Sequence, residues 1–559
     1  MANIKFCALG GLGENGKNLY ILDVDNMIFI LDAGTKHPSF DLYGIDTVIP
    51  DISYLLENKN RIQGIFLSHG HADHIGAVPE ILKSINVGVY GTNFTMSLVE
   101  LELAEAGMNV EDYRLYRINI EKNYTFGNII VNFYSTSHSV PESCGIAIKT
   151  SDGALVYAPD FNFASNTDPK YQVSFGRLVD VAKNGVLALF SESLGAGNIG
   201  RAADDYAMLH HVNDVVQKSN RVIFSMFSNE LQRIQKVINV CIANNRRIAV
   251  IGLKVQKTIN VGMKNGYLKI PEDKLVTLKY MTDEIKNDDN DLAIIITGNR
   301  HEPYYTLQRM TTGVDRLIKI KEDDQVVIIS QPMPGTEILA QKVIGLLYRQ
   351  NAKVNIIPKS LLQSSHADSE DLKLLYNMLK PKYIVPVVGE YRHQVMQKQI
   401  AMDAGYPEER IVLLDNGDLI SFEHGQLLTN KQKIKSGDVL VDGSFVGDIN
   451  EVVLRDREML SHDGLILVVI TIDARVKKII AGPKVVLKGF MAGVTAEEVI
   501  ESIKETTEAI ITNHFSKKYI DWNEIKNDLR DSVNKIVYKM TKKSPIIMPT
   551  VIDVESERE

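Results

Sequence analysis

The chain has 559 residues, 45% of them hydrophobic and 24% charged, an ordinary globular composition in a length that needs about three or four folding units rather than one hydrophobic core. Its formal net charge of -8 excludes the overall basic surface of many nucleic-acid-binding proteins, so any nucleic acid is expected to bind in a local groove. No run approaches the roughly 20 apolar residues of a membrane-spanning helix, and the first residues lack a secretory leader, so a cytoplasmic protein without membrane association is expected.

The first 160 residues alternate short β-rich runs with turns. Strands bounded by Gly, Asp or Asn are predicted at KFCALG, NLYILDV, MIFILDAG, IQGIFLSH, GVYG, IIVNFYS and ALVYAPD. Between two of them, IGAVPEILKSI predicts a helix. Residues of the metal-ligand type fall where strands end, which is typical of a layered α/β domain with a site along one edge of its sheets.

From about residue 201, helices alternate with apolar strands. The three-to-four residue apolar spacing predicts helices at DYAMLHHVNDVVQKSN, SNELQRIQKVINVCIANN and GTEILAQKVIGLLYRQN. The runs RVIFSMF, RIAVIG, LAIIIT and QVVIIS are typical of buried parallel strands. The sequence therefore predicts a second α/β domain, after which the chain returns to the first near residue 360.

The C-terminal part is predicted to form a small α+β unit behind a polar, Gly-rich linker. One tail helix presents an apolar face, which predicts a core or an oligomer contact, made of Ile525, Leu529, Val533, Ile536 and Met540. The predicted boundaries are 1–205 and 359–430 for the first domain, 206–358 for the second, 431–450 for the linker and 451–559 for the C-terminal domain.

The strongest functional signal is HGHADH, which lies directly after a predicted strand and before a predicted helix. It places His69, His71, Asp73 and His74 within six residues, a pattern with little chance of arising at random. Zinc binds imidazole nitrogen and carboxylate oxygen, and these four exceed what one catalytic metal takes from a single turn. The cysteines are widely separated, which argues against a thiolate site. Two adjacent metals are therefore predicted.

Three more residues at strand ends are candidates for the same site. His138 in TSHSVPES and Asp160 in APDFNF are predicted ligands, although a lone His or Asp at a strand end is otherwise a turn residue or a cap. Asp32 in LDAGTK is predicted to orient a ligand histidine, as outer residues of metal sites commonly do.

Longer motifs resemble the landmarks of the ribonuclease J family, RNA-degrading hydrolases of the β-CASP group, in the family's order over the whole chain. These motifs are GGLGENGKN, LDAGTKHPSFDLYGIDTVIPDISYL, LSHGHADHIGAVP, TSHSVPES, TGNRHEP, QPMPGTE and LKPKYIVPVVGEYR. The resemblance implies an α/β protein with a metallo-β-lactamase αββα sandwich, an inserted β-CASP α/β domain and a small C-terminal α+β domain.

The resemblance also implies roles for individual residues. One metal would be held by His69, His71 and His138, the other by Asp73 and His74, with Asp160 bridging the pair and a hydroxide attacking the phosphodiester. The implied catalytic residues are Asp73, Glu192 and His366. The implied phosphate-contacting loop consists of Leu362, Gln363, Ser364, Ser365 and His366.

The sequence departs from the family pattern at two places. PVVGEYR stands where family members read PVHGEYR, so Val388 replaces a metal-binding histidine, and LQSSHADS replaces the glycine-containing SGHGS form. An aliphatic side chain donates no lone pair, so the second metal is expected to bind weakly. His393 is the alternative donor. This pattern resembles the less active second paralogue of bacteria that carry two copies.

These observations favour a metal-dependent ribonuclease with 5′–3′ exonuclease and endonuclease activity, acting in rRNA maturation and mRNA decay, with activity reduced by Val388. The alternative is a mainly structural RNA-binding subunit of a complex with an active paralogue. A small-molecule ester or thioester hydrolase on the same fold is a third hypothesis. Two zinc ions are expected, the second weak, with manganese as the alternative metal. Expected partners are single-stranded RNA, a ribonuclease J paralogue, further copies of the chain in a dimer or tetramer, and an RNA degradosome.

Overall fold

A computed structural model describes residues 2–39, 41–164, 168–200, 205–251, 256–276, 289–428, 432–443, 445–447, 451–490, 496–517 and 519–554. The chain forms two compact units. The first consists of residues 1–36 and 48–439, and the second of residues 37–47 and 440–559.

Among the described residues from 2 to 200, most of the secondary-structure elements are short strands. The strands are β1 (Asn3–Gly10), β2 (Leu19–Val24), β3 (Met27–Leu31), β4 (Thr47–Pro50), β5 (Ile62–Phe66), β6 (Val89–Gly91), β7 (Leu115–Arg117), β8 (Asn123–Phe126), β9 (Ile129–Ser135), β10 (Cys144–Thr150), β11 (Gly153–Ala158) and β12 (Val186–Glu192). The helices are α1 (Ser53–Glu57), α2 (Ala72–Ile75), α3 (Val78–Ser84), α4 (Asn93–Glu105) and α5 (Phe175–Ala182). The predicted helix IGAVPEILKSI corresponds mainly to α3, which has Pro79 in its first turn, where proline is well tolerated.

Residues 205–357 alternate strand and helix, as the sequence predicts. The strands are β13 (Val222–Phe227), β14 (Arg247–Ile251), β15 (Leu292–Gly298), β16 (Gln325–Ile328) and β17 (Lys353–Ile356). The helices are α6 (Tyr206–Lys218), α7 (Leu231–Ala243), α8 (Gln256–Lys264), α9 (Glu302–Thr311) and α10 (Glu337–Arg349). Within the described residues the strands form one parallel sheet in the order β14-β15-β13-β16-β17, with apolar side chains on both faces, as such sheets require.

The chain then returns to the sheets of its first part. The elements are α11 (Ser369–Leu379), β18 (Tyr383–Val387), α12 (Tyr391–Asp403), β19 (Asp418–Glu423), β20 (Gln426–Leu427) and β21 (Gln432–Lys433). Strand β18 pairs in parallel with β12, and β19 pairs antiparallel with β1. The second domain is therefore an insertion into the first.

Two sheets stack face to face in the first domain. Among the described residues their strand orders are β20-β19-β1-β2-β3-β5-β6-β7, with β21 on β19, and β18-β12-β11-β10-β9-β8. Alternating side chains fill the space between them, for example Phe6 and Phe190, whose ring centroids are 4.2 Å apart. Helices α3 and α4 cover the outer face of one sheet, and α5, α11 and α12 cover that of the other. The layers are helix, sheet, sheet, helix.

The second unit is a small α+β structure. Its C-terminal part begins within strand β22 (Asp438–Asp442). The elements that follow are β23 (Phe445–Gly447), α13 (Glu451–His462), β24 (Leu465–Asp473), β25 (Lys478–Lys488), α14 (Ala496–Ser516), α15 (Trp522–Thr541) and β26 (Ile546–Asp553). The predicted linker 431–450 thus contains described strands. Ile525, Leu529 and Val533 on α15 are buried in this unit, so their stripe serves a core. Along the described ranges, no helix has the length and apolarity to cross a membrane.

Candidate metal centre

Histidines and carboxylates meet at one edge of the two stacked sheets of the first domain. Strand β5 leads into the loop with the HGHADH sequence, His138 follows β9, Asp160 follows β11 and Glu192 ends β12. The candidate ligand atoms lie within 4.8 Å of one another in three groups, which are His69, His71, His138 and Asp160, then Asp73, His74 and Asp160, and finally Asp160, Glu192 and His366. Every residue predicted as a metal ligand is therefore in this cluster.

The first ligand group contains three histidines and one carboxylate. His138 Nε2 lies 3.2 Å from His71 Nδ1. Asp160 Oδ2 lies 3.6 Å from Nε2 of both His69 and His138, and these three side chains are at most 2% exposed. Imidazole nitrogens with a carboxylate are a donor set that zinc accepts.

Hydrogen bonds to neighbouring backbone orient two of these imidazole rings. His138 Nδ1 is 2.7 Å from the carbonyl oxygen of Ser365, and His71 Nε2 is 3.3 Å from that of Asn229. A carbonyl oxygen only accepts, so both bonds assign the ring proton to these nitrogens. The lone pairs of His138 Nε2 and His71 Nδ1 then face each other, an arrangement that a cation would stabilise.

Two buried atoms of the cluster lack a hydrogen-bond partner among the residues that the structure describes. They are His69 Nε2 and Asp160 Oδ1. Leaving such atoms unsatisfied costs about 1–3 kcal/mol each, and a metal ion would satisfy both. The residues of the first group therefore fit a metal.

The charge states of the first group also suit a cation. Burial, reinforced by the neighbouring histidines, holds the pKa of His69 and of His138 well below its ordinary value, and burial lowers the pKa of His71. Although burial alone would raise the pKa of Asp160, the surrounding histidines, His366 foremost, hold it well below its usual range. Neutral imidazoles and a charged carboxylate are the forms that bind metal.

The second ligand group shares Asp160 with the first. His74 Nε2 lies 3.5 Å from Asp73 Oδ2 and 3.6 Å from Asp160 Oδ2. The same oxygen of Asp160 thus approaches histidines of both groups, as a bridging carboxylate would. Although burial would lower the pKa of His74, the carboxylates of Asp73, Asp32 and Asp160 hold it well above its ordinary value.

Asp32 lies behind His74, in the orienting position that the sequence predicts. Its Oδ2 accepts hydrogen bonds from Tyr157 Oη at 2.6 Å, His74 Nδ1 at 2.7 Å and Ser68 Oγ at 2.8 Å, while Oδ1 accepts from the Ser68 amide at 2.8 Å. Its backbone φ is +59°, which is uncommon for a residue other than glycine. These contacts put one ring proton of His74 on Nδ1, while Nε2 faces the carboxylates of Asp73 and Asp160.

Glu192 and His366 form a separate hydrogen-bonded pair. His366 Nδ1 donates to Glu192 Oε2 at 2.8 Å. Glu192 Oε1 accepts from the amides of Phe161 at 2.7 Å and Ala367 at 3.0 Å, so both oxygens of this buried carboxylate are occupied. Although burial would lower it, Glu192 and Asp160 raise the pKa of His366 to about 9, so the ring carries a proton at neutral pH.

The predicted phosphate-contacting loop runs along the first ligand group. Ser365 supplies the carbonyl that orients His138, and Ser364 Oγ donates to the carbonyl oxygen of His366 at 2.7 Å. The carbonyl oxygen of Ser364 accepts from Asn162 Nδ2 at 3.0 Å. Leu362 packs against the hydrophobic core. The structure therefore brings this loop to the predicted site, with several backbone carbonyls directed at protein groups.

Val388 lies outside the three ligand groups that the described residues form. It is buried, and its backbone φ is +51°, a conformation that is strained for a β-branched residue. Its amide donates to Tyr20 Oη at 3.0 Å, and its carbonyl oxygen accepts from the Ser193 amide at 3.1 Å. His393, the predicted alternative donor, accepts a hydrogen bond from the Glu390 amide at 3.2 Å and so caps α12.

Asn18 is a residue of this site that sequence reasoning missed. The side chain is buried, and its Nδ2 lies 3.1 Å from both the carbonyl oxygen of Asp73 and Nε2 of His74. Its Oδ1 accepts from Tyr20 Oη at 2.9 Å. Asn18 is the last residue of the GGLGENGKN landmark. Its place in a family motif, and not its residue type, could have indicated that it belongs to the site.

Comparison with protein families assigns four parts of the chain. Residues 37–177 match the beta-lactamase superfamily domain, residues 219–347 the ribonuclease J beta-CASP domain, residues 354–408 the Zn-dependent metallo-hydrolase RNA specificity domain, and residues 452–554 the ribonuclease J C-terminal domain. The matches follow one another in the order that the sequence predicts.

Curated relatives match over nearly the full chain. Ribonuclease J2 of Bacillus subtilis (strain 168) is 38% identical over 553 residues, which cover 99% of each chain. The protein named Ribonuclease J 2 of Staphylococcus epidermidis RP62A is 35% identical, and that of Staphylococcus aureus NCTC 8325 is 34% identical, each over 99% of this chain and 98% of the relative. The chain belongs to the ribonuclease J family.

Membership of the ribonuclease J family confirms the predicted fold, with a metallo-β-lactamase domain, an inserted β-CASP domain and a C-terminal α+β domain. A protein of unknown function from Enterococcus faecalis V583 shares this fold, with a TM-score of 0.52 and 14% identity over 75% of this chain and 100% of that one. As a member of the family the protein is a hydrolase, a ribonuclease that binds RNA and a metal ion.

Proposed function

We propose that this ribonuclease J protein degrades single-stranded RNA from the 5′ end and also makes internal cuts, at a rate limited by its second ligand group. The observation that carries the proposal is the convergence of the ligand groups on Asp160, whose Oδ2 lies 3.6 Å from Nε2 of His69, His74 and His138. A carboxylate shared between two donor groups is the arrangement expected for a two-metal hydrolytic site.

In this proposal the first group holds one cation and the second group holds another. His69, His71 and His138 would hold the first, Asp73 and His74 the second, and Asp160 would contribute to both. When bound, such a pair of cations activates water and neutralises charge that develops on a phosphodiester. Zinc suits the donor set, and manganese tolerates it too. The second cation binds more weakly because Val388 supplies no donor.

The remaining catalytic work falls to three side chains. His366 is held by Glu192, whose carboxylate raises the pKa of the ring, and would donate a proton to the leaving oxygen. Glu192 orients His366, since both of its own oxygens are already occupied. Asp73 is the accessible carboxylate of the second group, with its side chain 33% exposed, and it would face the RNA. Leu362, Gln363, Ser364, Ser365 and His366 would line the path of the phosphate backbone.

The alternative is a mainly structural subunit that binds RNA and an active ribonuclease J paralogue in the cytoplasm. Val388 favours it, because a weakened second site lowers turnover while the fold and the RNA surface remain. In either role the protein would act in rRNA maturation and mRNA decay, as a dimer or tetramer and as part of an RNA degradosome.

Cleavage of RNA labelled at a 5′-monophosphate end tests the proposal. The purified protein should release mononucleotides as the main product and internal fragments in smaller amount. Asp160→Ala should lower the cleavage rate by roughly 1,000-fold, since metal activation contributes several kcal/mol. Asp23→Asn is the matched control. Asp23 is a buried carboxylate on strand β2 that pairs with Arg61 and lies outside the ligand groups.

Equal rates for the wild type and Asp160→Ala would place the activity elsewhere and refute the proposal. Cleavage that appears only when an active paralogue is added, and that is unaffected by Asp160→Ala, would establish the structural alternative.

A further inference from the structure

The turn that precedes helix α7 of the inserted domain lies against the first ligand group. The carbonyl oxygen of Asn229 is 3.3 Å from His71 Nε2. The amide of Gln232 donates to the carbonyl oxygen of Ser139, the residue after His138, at 3.2 Å. The turn and the first residues of α7 therefore contact His71 and the residue after His138, both of which belong to the other domain.

Arg233 extends the contact to the loop that carries His366. Its Nη2 donates to the carbonyl oxygen of Gln363 at 2.7 Å, and its Nε lies 3.4 Å from Asp205 Oδ1. The same Asp205 oxygen accepts the amide of Gln363 at 3.1 Å. Arg233 is only 8% exposed and Asp205 is 4% exposed. The buried pair thus holds both backbone polar groups of Gln363.

Gln363 is two residues from the contact that orients His138. The carbonyl oxygen of Ser365 accepts from His138 Nδ1 at 2.7 Å. A backbone fixed at Gln363 restricts where the Ser365 carbonyl can lie, and that carbonyl sets both the tautomer and the direction of the His138 ring. A chain of contacts therefore runs from Arg233 through the loop to a ligand of the first group.

We propose that Asp205 and Arg233 are positioning residues of the inserted domain that hold the first ligand group ready for its metal. This inference rests on the proposed function, in which His138 is a metal ligand. The pair acts through the 363–365 backbone and touches neither substrate nor metal. The two domains of the catalytic unit are thus coupled, because loosening the inserted domain at this point frees a ligand of the metal centre.

The guanidinium group suits this task better than another cation would. Its planar fork donates in fixed directions to a carboxylate and to a carbonyl at once, whereas an ammonium group is a point charge on a flexible stem. Arg233→Lys should therefore keep the charge but lose the contact with either Asp205 or Gln363. Arg233→Met removes both of these contacts together with the ion pair to Glu230, and it keeps most of the apolar volume.

The test measures cobalt(II) affinity of the full-length protein by competition with a chelator. Arg233→Met should weaken the tightest site by roughly 10- to 100-fold, the usual effect of losing an outer contact of a metal site, and Arg233→Lys should fall between it and the wild type. Arg221→Met is the matched control, because Arg221 is buried between Asp289 and Asp324 at the other end of strand β13. The control should melt at a lower temperature with unchanged cobalt affinity.

A folded Arg233→Met protein with wild-type cobalt affinity would overturn the inference. If that variant fails to fold, Asp205→Asn provides the same comparison, because it keeps the acceptor for the Gln363 amide and removes the charge paired with Arg233.

Hydrogen exchange of metal-free protein separates this inference from the proposed function. Amides of residues 362–366 should exchange at least several-fold faster in Arg233→Met than in Arg221→Met. If the wild type binds no cobalt, the metal-dependent function fails, and this exchange comparison alone decides whether the pair positions the loop. Equal exchange in the two variants would refute the inference.

Discussion

The two ligand groups of the metal centre share Asp160 but differ in completeness. The first offers three imidazoles and a carboxylate, with ring tautomers set by backbone carbonyls. Among the described residues, the second offers Asp73, His74 and Asp160. We propose that it lacks one donor, because Val388 is predicted to stand in the place of a histidine.

We infer that the backbone at Val388 keeps the conformation of a ligand position without the ligand. Val388 keeps a φ of +51°, which costs on the order of 1–3 kcal/mol for a residue other than glycine. The amide of Val388 donates a hydrogen bond to Tyr20 Oη, and its carbonyl oxygen accepts one from Ser193 Oγ. These two hydrogen bonds hold the backbone in this conformation. The scaffold of the second group is thus independent of the donor, and restoring the donor requires no change of fold.

The largest effect that sharpens this comparison is expected from Val388→His. A histidine on the preserved backbone would complete the second group. Affinity for the second metal ion should therefore rise by at least the roughly 10- to 100-fold that an outer contact of a metal site contributes. The 5′ exonuclease rate should rise with it. Metal titration with a chelator as competitor and single-turnover cleavage measure the two effects.

Val388→Leu is the control for this experiment, because it removes the β-branch and supplies no donor. The comparison of the two groups breaks down if Val388→His and Val388→Leu show the same metal stoichiometry and rate as the wild type. In that case the missing histidine does not limit the second site.

The sequence predicts those parts of the site whose metal-binding residue types lie close together along the chain or at the end of a predicted strand. HGHADH predicts four candidate ligands because they lie within six residues, and Asp32 is recognisable as an acid at the end of a strand. Short β-rich runs predict strands such as β1, whose residues Phe6 and Ala8 face the second sheet, whereas the αββα order of the layers was expected only from the resemblance to the family. Local patterns thus account for the candidate ligands and the strands.

The rest depends on contacts between distant segments, which no local pattern encodes. The Ser365 carbonyl orients His138 across 227 residues, and a carbonyl has no sequence signature. Arg233 looks like one charge among many on a helix, and only folding shows that it is buried against Asp205. The polar 431–450 segment predicts a linker, yet Leu440 and Val441 of β22 pair with Gly447 and Val446 of β23 in a local antiparallel hairpin.

A smaller effect on the second group is expected from Asp32→Asn. The asparagine amide replaces one acceptor oxygen by a donor, so Asp32 can no longer accept from His74, Tyr157 and Ser68 together, and the His74 ring is less firmly oriented. Affinity for the second metal ion should fall about 10-fold, the lower end for outer residues of metal sites. Affinity for the first ion, measured in the same titration, serves as the internal control.

An equal loss of both metal ions in Asp32→Asn would contradict the separation of the two groups. Tyr157→Phe removes a single donor to Asp32 and should have a weaker effect in the same direction. Comparable melting temperatures of the two variants would show that the difference between them is local.

The smallest expected effect is the pH dependence of the melting temperature that the His366–Glu192 pair causes. The folded pKa of His366 is about 9 against an ordinary value of 6.5, so its charged contact with Glu192 stabilises the fold fully below pH 6.5 and is lost as pH rises through 9. In protein stripped of metal by a chelator, the melting temperature of the wild type should therefore fall between pH 6.5 and 9.5 relative to that of His366→Gln. Parallel curves for the two proteins would mean that His366 is neutral at pH 7, and the leaving oxygen would then need another proton donor.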